Sequence, residues 1–212
     1  MQITLTVNGN SHQPPWLKSG LQAGDALLIS RPLGTGVLFA GAMNGATKAA
    51  DLDTALQTMA CSQHTLLEQI EPIREGIHAC TDITGFGLLG HLGEMLQNSP
   101  ELTIELEGSA IPAYPGSLEL FERGISSTLA PSNRAAWRWL EGPVQLRDHA
   151  SPALLELLVD HRPVAPCCWP APAKPPLNSL GTAHGFKSAT QQPRMTEVVC
   201  TLFTVVTSLH NL

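Results

Sequence analysis

The residues best suited to chemistry lie together in one stretch, His78-Ala79-Cys80-Thr81-Asp82-Ile83-Thr84-Gly85-Phe86-Gly87-Leu88-Leu89-Gly90-His91. A glycine-rich turn that opens a helix leaves backbone N–H groups unpaired and sets them at the positive end of the helix dipole, which attracts a phosphate. Gly85 and Gly87 are therefore candidate contacts for an anionic ligand. Asp82, at the end of the preceding strand, is the candidate metal ligand, because Mg²⁺ takes one or two carboxylates and completes its octahedron with water and phosphate oxygens. The competing use is structural. Asp82 and Thr84 are of the types that cap helix N-termini, and from spacing alone capping is the commoner outcome.

Gly85, Gly87 and Gly90 also satisfy G-x-G-x-x-G, with Glu105 at 20 residues beyond Gly85, the layout of a dinucleotide fingerprint. The preceding strand is short and polar, whereas a dinucleotide-binding first strand is buried on both faces and apolar throughout. Dinucleotide binding is thus the lesser alternative. Gly34-Thr35-Gly36 makes a second glycine turn without the lysine of a phosphate-binding loop, and its expected use is unusual backbone geometry. Cys61 and His64, and His78 and Cys80, are of zinc-ligand type, but no spacing joins the two pairs and no zinc is assigned.

Strands and helices interleave around these residues. Ile3, Leu5 and Val7 alternate with polar residues as in a half-buried strand, and Gln13–Gly24 is a loop. Ala26–Ser30 reads as an apolar strand that leads through Gly34–Gly36 into a helix ending at Met43. Leu52, Leu56, Met59, Gln63, Leu67 and Ile70 predict one amphipathic helix of about five turns, ended by Pro72. Ile77–Thr81 is a short strand, Phe86–Leu96 a helix face and Leu102–Leu106 a strand, with helices over Leu118–Glu122, Ser132–Leu140 and Pro152–Leu158. Trp137 and Trp139, two apart, point to different faces of their helix, one of them exposed or covered by another segment. The class is α/β or α+β.

Composition sets the outer bounds. The 12 Lys and Arg against 18 Asp and Glu leave a net charge of −6, which argues against nucleic acid and anionic membranes as partners. No run approaches the ~20 apolar residues of a membrane span. Five cysteines without regular spacing, and an N-terminus without a secretory pattern, point to a reducing cytoplasm. Residues 1–160 hold 17 acidic against 8 basic residues, a charge of −9, while 161–212 carry +3. Seven of the 17 prolines fall between Pro163 and Pro193, a density expected to exclude a helix or a central strand. The expected organisation is a domain over 1–160 and a poorly folded tail over 161–212.

Gly24-Asp25-Ala26-Leu27-Leu28-Ile29-Ser30-Arg31-Pro32-Leu33-Gly34-Thr35-Gly36-Val37-Leu38, the His78–His91 run and Pro131-Ser132-Asn133-Arg134 together resemble selenophosphate synthetase (selenide, water dikinase), over about residues 1–160. The resemblance implies the α+β C-terminal domain of the AIR synthase-like fold, a mixed sheet with flanking helices. It also implies a reaction that turns ATP, selenide and water into selenophosphate, AMP and phosphate with Mg²⁺. Asp82 matches the aspartate that helps bind magnesium and the ATP phosphates.

The family's N-terminal domain, with its reactive Cys or selenocysteine, partner Lys, glycine-rich ATP segment and other metal-binding aspartates, has no counterpart here. None of the five cysteines inherits a catalytic role, and no catalytic residue is assigned. The chain is expected to be truncated and inactive alone, its partner being a missing N-terminal domain or a homodimer mate. The alternative is a non-catalytic remnant or accessory module that pairs with a separate N-terminal half. After Asp160 the family continues Pro-Gln-Thr-Ser-Gly-Gly-Leu-Leu, whereas this chain reads His161-Arg162-Pro163-Val164-Ala165-Pro166-Cys167-Cys168-Trp169. One permissible codon set for that stretch, shifted in frame, encodes Pro-Thr-Cys-Gly-Pro-Leu-Leu-Leu, so a frameshift near residue 160 is expected.

Overall fold

The computed structural model describes residues 13–148 and 150–160, with 6 and 8–10 ahead of them and the strands Cys167–Pro172 and Thr201–Thr204 after them. The strand expected around Ile3, Leu5 and Val7 lies outside these residues, as does the rest of the 161–212 tail.

Asp25–Ile29 forms β1, and all five of its residues are buried. The period of two explains why an unbroken apolar run is needed. Leu27 and Ile29 join the main core, while Leu28 joins a second cluster with Leu66, Ile70 and Ile77. The chain then turns at Gly34, whose φ is +105° and where a Cβ would lie 2.5 Å from the Cβ of Ser117. Thr35–Met43 follows as α1. Its N-terminus is held from far away: the Asp160 carboxylate accepts the N–H groups of Gly36 (3.0 Å) and Val37 (3.3 Å). The glycine turn expected to serve backbone geometry does so, and a carboxylate of the chain itself occupies two of its donors.

The single long helix expected across Leu52–Ile70 is two, α2 at Ala49–Ala60 and α3 at His64–Ile70. Cys61 between them is extended, with φ −76° and ψ 136°. The Arg31 guanidinium donates to the Cys61 carbonyl, and the Ser62 hydroxyl accepts the His64 N–H, so each broken end gains a polar partner. Leu56 and Leu67, expected on the buried face, are exposed. Pro72 opens a 3₁₀ turn over Glu71–Gly76.

Thr81–Asp82 is β2, shorter than expected, and Gly87–Leu96 is α4. Ile104–Leu106 is β3, Ser117–Glu122 is α5 and Ala130–Asn133 is α6, which continues as a 3₁₀ helix over Arg134–Glu141. Trp137 and Trp139 are both half-buried there, packed on the main core. Val144–Leu146 is β4, parallel to β3, a strand absent from the sequence-based expectation. Pro152–Val159 is α7, capped by the Ser151 hydroxyl.

Parallel and antiparallel pairings are divided between two sheets, the β3–β4 pair and a four-stranded sheet of order β2-β5-β1-β6, in which β5 is Cys167–Pro172 and β6 is Thr201–Thr204. The α+β class holds. The expectation that proline density excludes a central strand is corrected by β5, which pairs antiparallel with β1 and β2. Pro170 and Pro172 are two apart, so both missing N–H donors fall on one side of the strand. β2 pairs only with Cys167 and Cys168, before either proline is reached.

Replacing the buried Asp160 carboxylate with Ala strands two N–H groups of α1. Asp160→Ala is expected to lose about 1–3 kcal/mol in urea unfolding, and Asp160→Asn, which keeps an acceptor oxygen, clearly less.

Candidate functional site

The Asp82–Gly87 turn is fixed at both ends. Upstream, β2 pairs Thr81 with Cys168 and Asp82 with Cys167. Thr81 and Ile83 are buried on either side of Asp82, whose own side chain is exposed and makes no hydrogen bond or ion pair among the described residues. Downstream, the turn closes through the Gly87 N–H, which donates to the Thr84 carbonyl at 3.2 Å.

Helix capping by Asp82 or Thr84 is not what the turn does. The residue preceding α4 is Phe86, and no side chain caps it. Gly87 is also not an open donor, because its N–H is spent on Thr84. Its role is spatial: φ is +71°, and a Cβ there would meet the Val159 backbone at 2.7 Å. Asn133, from the Pro131–Arg134 segment, donates from Nδ2 to the Gly85 carbonyl (2.7 Å) and to the Val159 carbonyl (3.0 Å), tying the turn to the end of α7. Arg134 grips Glu156 on α7 with two bonds, 2.9 and 3.1 Å.

A second set of contacts lies beneath the turn. The Thr84 N–H donates to His91 Nε2 at 3.1 Å, His91 Nδ1 lies 3.1 Å from Glu94, and Lys18 Nζ reaches the same Glu94 oxygen at 3.0 Å. Burial lowers the His91 pKa, against the opposing pull of Glu94. Burial works to raise the Glu94 pKa but is outweighed by Lys18 and His91, and the net direction is down. Sequence spacing did not single out His91, Glu94, Asn133 or Lys18 for any role at the turn.

The dinucleotide alternative does not survive this geometry. β2 and β3 belong to different sheets, so no parallel βαβ unit surrounds the turn, and Glu105 pairs with Arg147. Beside the turn, an open groove of about 230 Å³ runs between α4 and the α6–3₁₀ segment, lined by Phe86, Glu94, Asn133, Arg138 and Trp139 among others.

A lone exposed carboxylate fits a share in a Mg²⁺ site and no more, since Mg²⁺ needs few protein ligands. Among the described residues no three His, Cys, Asp or Glu side chains cluster to hold a metal.

The profile described as "AIR synthase related protein, C-terminal domain" matches residues 22–129, just over half of the chain. Selenide, water dikinase of Bdellovibrio bacteriovorus is 36% identical over 134 residues, covering 63% of this chain and 38% of that protein. Selenide, water dikinase of Pelobacter propionicus is 37% identical over 138 residues, with the same 63% and 38% coverage. The chain therefore spans about two fifths of the length of these curated relatives.

Because burial keeps folded His91 neutral, the unfolded chain binds a proton that the folded chain resists. This stability is fully present above the ordinary value of 6.5 and is lost as pH falls through it toward the depressed folded value. Urea midpoints should fall between about pH 7.5 and 5.5, and His91→Gln should flatten that slope.

Proposed function

The chain belongs to the AIR synthase related family as its C-terminal domain, and from that membership we propose that it is the C-terminal half of a selenide, water dikinase, contributing Asp82 to a magnesium–nucleotide site that an N-terminal half completes. The observation that carries this reading is the exposed Asp82 carboxylate at the mouth of a turn braced from β2, α4, α6 and α7. Bracing of this kind keeps a ligand in place before the metal arrives, so little ordering cost falls on binding.

In the proposed reaction ATP, selenide and water become selenophosphate, AMP and phosphate. Mg²⁺ bound to the polyphosphate would neutralise charge that develops on the transferring phosphoryl oxygens. Asp82 would orient that ion and fix the edge of the nucleotide against this domain. Gly85 would let the phosphates approach closely, and Gly87 would serve by shaping the turn. The nucleophile, its partner lysine and the remaining carboxylates are assigned to the family's N-terminal half. Phe86, exposed beside Asp82, supports a covering partner at this face.

The family-like sequence is proposed to end at Asp160, whose carboxylate caps α1, and the residues beyond it, of which β5 and β6 complete the four-stranded sheet, to arise from a frameshift. The gene's codons for residues 161–169 test this: codons incompatible with the Pro-Thr-Cys-Gly-Pro-Leu-Leu-Leu reading in the shifted frame would defeat it.

The split-enzyme reading is tested by mixing this chain with the N-terminal half of the Bdellovibrio relative and following AMP released from ATP and selenide. Turnover is expected, and Asp82→Asn should lower it on the order of 100-fold while leaving the association intact. Association without turnover would favour an accessory module instead, and no association would favour a remnant.

A further inference from the structure

His91 lies under the Asp82–Gly87 turn, 2% exposed, on the first two turns of α4. Its protonation state follows from what it touches. A backbone N–H can only donate, so the Thr84 N–H at 3.1 Å requires a bare lone pair on Nε2. Glu94 can only accept when ionised, so Nδ1, at 3.1 Å, must carry the proton. Lys18, at 3.0 Å from the same oxygen, keeps Glu94 an anion. The Thr84 hydroxyl lies 3.3 Å from Nε2, and the Phe86 ring covers the imidazole at 5.9 Å between centroids.

We propose that His91 is a positioning residue: as a neutral imidazole protonated on Nδ1, it lends its Nε2 lone pair to the Thr84 N–H and so fixes the downstream end of the turn that presents Asp82. The inference rests on the reading that Asp82 faces a metal-bound nucleotide. β2 holds Asp82 from the upstream side, and without His91 the hydrogen bonds left on the downstream side, among the described residues, would be the Gly87–Thr84 turn bond and the Asn133–Gly85 contact. Lys18 and Glu94 act through His91, by selecting its tautomer. The other tautomer would point a proton at the Thr84 N–H and break the bond.

The test uses the full chain labelled with ¹⁵N. Long-range ¹H–¹⁵N correlations should report His91 protonated on Nδ1 at neutral pH, and a proton on Nε2 would overturn the proposal. Glu94→Leu, at a half-exposed position, should switch the ring to the Nε2–H form and speed Thr84 amide exchange about tenfold or more. Exchange within twofold of wild type would also overturn it. His91→Leu should have the same effect on exchange, while His91→Gln, which carries an acceptor oxygen and an N–H₂ donor, should keep Thr84 protected. If His91→Leu fails to fold, Glu94→Leu and His91→Gln still decide.

Titration with Mn²⁺ separates this inference from the one beneath it. Broadening of the Asp82 and Thr84 amide signals should need at least about fivefold more Mn²⁺ in Glu94→Leu than in wild type or His91→Gln. Unchanged Mn²⁺ affinity in Glu94→Leu, with the tautomer switched, would overturn the positioning role. No broadening at Asp82 in the wild type would defeat the metal reading, while the tautomer and the Thr84 exchange rate would still decide whether His91 fixes the turn.

Discussion

The Val159–Asp160 junction at the end of α7 is the constraint on which the rest of the domain depends. Its last carboxylate accepts two N–H groups at the start of α1, across 124 and 123 residues of sequence. Its backbone also forms the wall against which Gly87 packs, and its carbonyl receives Asn133. Two glycine turns far apart in the chain are therefore referenced to one short segment. A buried anion set on a helix N-terminus satisfies orphan donors and the helix dipole at once, and it does so only if both elements keep their places.

This arrangement gives the two glycine turns opposite fates. At Gly34–Gly36 the helix N-terminus is filled from within, where Asp160 takes the Gly36 and Val37 N–H groups. At Asp82–Gly87 the helix N-terminus receives no side-chain cap, and the nearest carboxylate faces outward. The same local sequence device, strand then glycines then helix, closes a domain in one case and leaves a usable edge in the other. The difference is made by residues remote from either turn.

What was legible in the sequence follows from the same distinction. β1, α1, α4, α5 and α7 were visible because apolar period and glycine or proline punctuation lie within each element. The break at Cys61 was not, because apolar residues keep their spacing across it while the group that holds it open, Arg31, sits 30 residues away. β4 is three residues long, too short for a pattern, and β5 was hidden by prolines whose harm depends on which edge they face. Asp82 stood out as a candidate from residue type and place, though spacing alone favoured capping and the family resemblance favoured metal. Asp160, Asn133 and His91 did not, since their importance lies in partners that spacing does not reveal: α1, the Gly85 carbonyl and the Thr84 N–H.

Gly93 on α4 faces the Trp139 indole so closely that a Cβ there would collide with it, and Trp139 forms one wall of the groove beside Phe86. The breadth of that groove is thus governed by a hydrogen atom on the opposite helix. An alanine at 93 would lever the indole outward and shift the 3₁₀ segment with it, so natural variation at a buried, chemically silent position can resize a surface feature that it never lines.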